Sequence, residues 1–187
     1  MYNLASKILS LFLDPLALAI LLLVCAFLIQ KLRPKIFMCE ALRAKDDAKH
    51  VAIDPFQQVQ WKGIGLHNLK LSGLVRLVEF HQKPSFIVLA EFVEEKRIID
   101  LALVDGWTTF DFKLVDTFLC DKILRIGGIL VMRTGGTPSG IKLVAYVKTN
   151  WPWYEHIGTS NHNNWEDLVA FRKISPDIRR WKFHEEF

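Results

Sequence analysis

Two aspartates stand where an apolar run stops, and both are of a type that can hold a ligand. Asp54 closes the run His50, Val51, Ala52, Ile53 and precedes Pro55. Asp105 closes the run 99–104 and precedes Gly106 and Trp107. A carboxylate at a strand end can accept hydrogen bonds from two hydroxyls, and a glycine beside it lets a ligand approach the backbone. The same residues also suit plainer roles. Asp54 fits a turn acid before proline, Asp105 with Gly106 a tight turn, and Trp107 a core aromatic. His67, His81, His156, His162 and His184 lack metal-ligand spacing, and Cys25, Cys39 and Cys120 form no CxxC. No metal site is expected, and the thiols read as buried and reduced. Ser72 and Ser139 precede glycines without the surroundings of a nucleophile elbow. Gly135 and Gly136 form either an anion nest or a plain loop. Trp151 to Tyr154 read as a substrate lid or as the packing of a last strand.

These residues need elements to place them. The runs 99–104 and 124–132 are nearly all apolar, as strands buried on both faces are. Between them Phe112, Val115, Leu119 and Ile123 recur at helical spacing, so 109–124 is expected to be a helix with that face inward. Strand, helix and strand make a parallel crossover, and such sheets bind ligands at the carboxyl ends of their strands. Further helices are expected over 36–44, 59–71, 85–95 and 140–148, the last two capped by Ser85 and Ser139. Strands are expected over 50–54 and 74–80, with a closing antiparallel pair over 153–158 and 167–174.

The 187 residues are 51% hydrophobic with a net charge of +4. Lys and Arg are scattered among acids, which argues against a nucleic-acid partner. The apolar excess lies at the N-terminus, where 16–29 is unbroken and 8–13 extends it across Asp14 and Pro15. A span takes about 20 apolar residues, so 8–29 is expected to be a transmembrane helix or hairpin. Lys31, Arg33 and Lys35 follow it, against Lys7 before it, which places the rest of the chain in the cytoplasm. The expected organisation is a membrane segment over 1–35 and an α/β domain over 36–187.

From residue 36 onward the chain resembles class I S-adenosylmethionine-dependent methyltransferases, in particular their bacterial small-molecule branch. The resemblance rests on His50 to Phe56, Trp61 to Leu66, Leu103-Val104-Asp105-Gly106-Trp107, the run 124–131 with its Gly127-Gly128 pair, and 144–150. It implies a partial Rossmann-like, doubly wound sheet. It also implies S-adenosylmethionine as cofactor, Asp54 on its ribose hydroxyls, and Asp105, Gly106 and Trp107 beside cofactor and substrate. The implied reaction is methyl transfer to a small-molecule acceptor.

The chain departs from the family at three places. The family's glycine-rich first loop is expected before Ile36, yet no glycine precedes Gly63. Thr108 stands where many relatives have histidine. Arg133 and Thr134 stand where relatives of this branch often have paired aspartates, and a cation cannot serve as a metal ligand. A second reading is therefore a degenerate, inactive methyltransferase-like binding module. A partner chain supplying the first strand would make the protein a homo-oligomer. The N-terminal segment is similar to membrane leaders of bacterial envelope-biogenesis factors, which implies the inner membrane.

Overall fold

The structure is a computed structural model that describes residues 48–160 and 168–187. The apolar segment 8–29 and the helix expected over 36–44 lie outside the described residues. Among those residues no helix is long and apolar enough to cross a membrane. The chain divides into two compact units, Met1–Lys83 and Pro84–Phe187.

In Met1–Lys83 a parallel pair joins β1 (His50–Ile53) to β2 (Val78–His81), with Val51 opposite Glu79. Helix α1 (Ile64–Leu71) connects them, and its buried Leu69 packs with Leu74 and the partly buried Leu66, Leu77 and Val78. The helix expected from residue 59 starts five residues later, because Lys62 and Gly63 both take positive φ (50° and 68°). A helix cannot run through two successive left-handed residues. The strand expected from residue 74 likewise begins only at Val78, after a single 3-10 turn over Val75–Leu77.

In Pro84–Phe187 a four-stranded sheet runs in the order β3 (Ile99–Val104), β4 (Leu124–Arg133), β6 (Leu168–Lys173), β5 (Tyr154–Ser160). β3 and β4 are parallel, while β6 is antiparallel to both of its neighbours. Helices α2 (Ser85–Glu94), α3 (Phe110–Ile123) and α4 (Pro138–Asn150) pack side by side, α3 on β3 and β4, α4 on β4 and β5. The expected crossover is thus present, with Val104, Ile129, Leu130, Val131 and Met132 in its core. Gly127 sits inside β4 at φ 82°, where the register against β3 shifts between Ile99 and Leu101, a bulge that glycine tolerates.

Helix α3 departs most from the expected pattern. Phe112 and Val115, expected inside, are 40% and 42% exposed, while Lys113, Asp116, Thr117, Cys120 and Asp121 are buried. Those five recur at i, i+3, i+4, i+7 and i+8, a helical face of their own. Each polar member but one oxygen finds a partner on a neighbouring element. Asp121 Oδ1 takes the Trp153 indole N–H at 3.0 Å, the Tyr154 hydroxyl at 3.1 Å and Lys173 Nζ at 3.1 Å. Lys173 also donates to the carbonyls of Asp121 and Leu124. Burial and the Asp121 carboxylate push the Tyr154 hydroxyl far above its usual range, and burial pushes the Cys120 thiol up to about 12. Trp151 and Trp153 are 1% exposed and stacked at 5.4 Å, so this segment is core packing, not a lid.

Candidate functional site

Asp54 follows β1 directly, in Met1–Lys83, and its carboxylate is held in place. The Phe56 backbone N–H donates to Oδ1 at 2.9 Å, a turn that Pro55 favours, and Gln57 Nε2 donates to Oδ2 at 3.0 Å. Gln57 is itself fixed, since its Oε1 accepts the Gly65 N–H at 2.9 Å. A Cβ at Gly65 would lie 2.7 Å from that oxygen, so only glycine allows this approach. Each carboxylate oxygen spends one lone pair on these bonds and keeps another. A rigid carboxylate with one acceptor site left on each oxygen suits a vicinal diol, the chemistry that a ribose presents.

Asp105, Gly106 and Trp107 follow β3, in Pro84–Phe187. Asp105 is not a free carboxylate: its Oδ1 accepts from Arg133 Nη1 at 2.9 Å, from the end of the adjacent parallel strand. Trp107 is no core aromatic, being 56% exposed with its ring 6.3 Å from Phe112, which in turn lies 6.1 Å from Phe86. Gly106 keeps the corner close to α3, since a Cβ there would stand 3.3 Å from Asp116 Oδ2.

Two buried charged residues missing from the expected site lie under this corner. Lys113 Nζ donates to the Arg133 carbonyl at 2.8 Å, and burial lowers its pKa against the pull of Asp105. Asp116 Oδ2 accepts from Ser85 Oγ at 2.9 Å, while its buried Oδ1 has no partner. Burial raises the Asp116 pKa, and the Ser85 bond and Lys113 oppose the rise. Ser85 therefore spends its hydroxyl across the unit and does not cap α2, whose N-cap is Pro84. Ser139 likewise donates to the Thr108 carbonyl, tying α4 to the corner, and the cap of α4 is Thr137, which accepts the Gly140 N–H at 3.2 Å. The signal for Lys113 and Asp116 was their i, i+3 spacing. The apolar stripe of Phe112, Val115, Leu119 and Ile123 on the same helix masks it.

A family model described as a methyltransferase domain matches residues 35–132, just over half of the chain. Among solved structures the chain is similar to a protein described as an O-methyltransferase from Klebsiella pneumoniae, at 14% identity and a TM-score of 0.61 over 76% of this chain and 68% of that one. It is similar to an O-methyltransferase from Bacillus cereus in complex with SAH, at 14% identity and a TM-score of 0.59 over 75% and 69%. A protein described as an rRNA methylase from Clostridium thermocellum gives 14% and 0.57 over 75% and 82%. At such identities the likeness is one of fold, an α/β Rossmann-like fold. No curated protein matches the sequence significantly. With more than half of its length matched by the family model, the chain belongs to the methyltransferase-domain family.

Proposed function

We propose that the protein transfers a methyl group from S-adenosylmethionine to the oxygen or nitrogen of a small-molecule acceptor. Asp54 would take the ribose hydroxyls, and Asp105, Gly106 and Trp107 would line the cofactor and acceptor. The cofactor, when bound, supplies an electrophilic methyl group on a positively charged sulfur. The Asp54 carboxylate carries the reading: it is fixed by Phe56 and Gln57 yet keeps acceptor capacity on both oxygens. The Arg133 guanidinium holds Asp105 at the strand end, so this acid would orient the corner. The scattered cations of the chain favour a small acceptor over a nucleic acid. The apolar run 8–29 and the cations after it support attachment to a bacterial inner membrane with 36–187 on the cytoplasmic side.

The test is calorimetric titration of S-adenosylmethionine and S-adenosylhomocysteine into the detergent-solubilised full chain and its Asp54→Ala variant. Two hydrogen bonds to a charged acceptor are worth about 1.5–3 kcal/mol each, so the variant should bind at least about 100-fold more weakly. Absence of binding up to millimolar ligand would refute the proposal and favour an inactive binding module.

A further inference from the structure

The segment after Asp54 displays apolar side chains that the fold does not use. Its turn is closed by the backbone alone. The Gln60 N–H donates to the Phe56 carbonyl at 2.8 Å, the Gly63 N–H to the Gln57 carbonyl at 2.8 Å, and the Ile64 N–H to the Trp61 carbonyl at 3.0 Å. The buried Gln57 side chain ties this turn to Asp54 on one side and to the Gly65 N–H on the other. None of these bonds uses the side chain of Val59 or Trp61, which are 79% and 56% exposed. Lys62, next in line, is held at φ 50°, a conformation costly for a residue with a Cβ. An ordered turn thus holds two large apolar side chains out in solvent.

The display continues along α1. Ile64 and Leu71, 50% and 73% exposed, stand at the first and last positions of its eight residues. Seven positions are close to two helical turns, so both lie on the side opposite Leu66 and Leu69, which pack inward. Single apolar residues scattered over a surface are ordinary. A fixed turn and the adjoining helix side that show one after another mark a contact surface.

Charge narrows the choice of partner. Residues 55–78 contain no aspartate or glutamate, and they carry Lys62, Lys70 and Arg76. Lys62 directly follows Trp61 and Lys70 directly precedes Leu71, and both lysines are exposed. Tryptophan and aliphatic side chains flanked by lysines suit the headgroup region of an anionic bilayer. There the apolar groups enter the acyl boundary while the ammonium groups stay with the phosphates. The apolar run 8–29 belongs to the same compact unit, Met1–Lys83, upstream of this turn. We infer that the turn 56–62 and the outer side of α1 dock on an anionic lipid surface. The inference does not depend on methyl transfer, and it draws on the proposed membrane attachment only for proximity to a bilayer.

The test uses the full chain, transferred from detergent into vesicles of phosphatidylcholine alone or mixed with phosphatidylglycerol, the lipids carrying brominated acyl chains that quench nearby indoles. Trp61→Phe removes the reporter, and a Lys62→Gln, Lys70→Gln double variant removes the charge. All three side chains are exposed, and cooperative thermal unfolding checks that each variant is folded. On anionic vesicles the parent chain should be quenched more than Trp61→Phe, and on neutral vesicles that excess should shrink. The double variant should lose most of it, since each lysine near the surface raises the docked-to-free ratio about fivefold. Salt at about 1 M should do the same, because the screening length contracts from about 10 Å to about 3 Å. Equal quenching in the parent and Trp61→Phe, equal excess on neutral and anionic vesicles, or an excess unmoved in the double variant would each overturn the inference. A Trp61-dependent blue shift that grows with protein concentration without lipid would assign the surface to a second copy and overturn it too. Flotation with the vesicles at high salt separates the two membrane claims. Its loss, with the Trp61 excess still present at low salt, counts against attachment through 8–29 and leaves the docking surface standing.

Discussion

Asp121 is the point at which α3, β5 and β6 are locked together, and replacing it with asparagine should be among the most costly single changes in Pro84–Phe187. The residue is 2% exposed, and its Oδ1 accepts from Trp153, Tyr154 and Lys173. Asp121→Asn keeps the shape and one acceptor oxygen but strips the Lys173 ammonium, itself 8% exposed, of its counter-charge. Breaking a buried pair from one side costs about 3–5 kcal/mol. The two backbone carbonyls that Lys173 retains place the expected loss at the lower end, about 3 kcal/mol. In a chain of this size that lowers Tm by about 6–12 °C. Lys173→Met should cost somewhat less, about 2–3 kcal/mol, because the carboxylate keeps the indole and phenol donors. The double variant should lose less than the sum by about 1–2 kcal/mol. Urea unfolding followed by tryptophan fluorescence reads all three, since Trp151 and Trp153 are buried beside the network. Strict additivity in the double variant, or a loss below about 1 kcal/mol in Asp121→Asn, would refute the reasoning.

Asp116 should respond to pH in the opposite sense to a paired acid. Its folded pKa is raised, so the stability it contributes is complete below the unfolded value of about 3.9 and is lost as pH rises through the folded value. Asp116→Asn escapes that loss, so its stability relative to the parent chain should climb between acid and mildly alkaline pH. A pH-independent difference in thermal unfolding would contradict this. Gly140→Ala would place a Cβ 2.5 Å from the Thr134 carbonyl oxygen and should cost about 2–3 kcal/mol in the same assay. Gly136→Ala meets open space and should cost only the left-handed backbone strain at φ 63°, about 1–2 kcal/mol.

The crossover from β3 through α3 to β4 was legible because two long apolar runs flank a segment with helical periodicity. The closing antiparallel pair was legible too, as short runs around a polar loop. The face of α3 was not, because periodicity identifies a stripe but not its direction. The stripe holding Lys113, Asp116 and Asp121 turns inward where partners from α2, β4, β5 and β6 satisfy it, and no local pattern lists such partners. Helix starts failed for a related reason. Ser85 and Ser139 are good caps by type, yet Asp116 and the Thr108 carbonyl, each 31 positions away in sequence, take their hydroxyls instead. Of the site, Asp54 and the Asp105 corner were readable as strand-end acids. The ion pair that ties Asp105 to Arg133 depends on the register of β3 and β4, with Val104 opposite Met132.

The sheet order β3-β4-β6-β5 has a consequence for how the chain is made. Strand β6, which leaves the ribosome after β5, is the third in the sheet, and among the described residues β5 has no neighbour in that sheet except β6. A nascent chain that has released β4 but not yet Lys173 therefore displays the apolar edge of β4, with β5 unable to cover it. At about 5–20 residues per second the 40 positions from Arg133 to Lys173 take about 2–8 s. During synthesis that edge is open to pairing with a neighbouring nascent chain, so yield from translation should depend on elongation rate and holdase supply more than on the stability of the finished sheet.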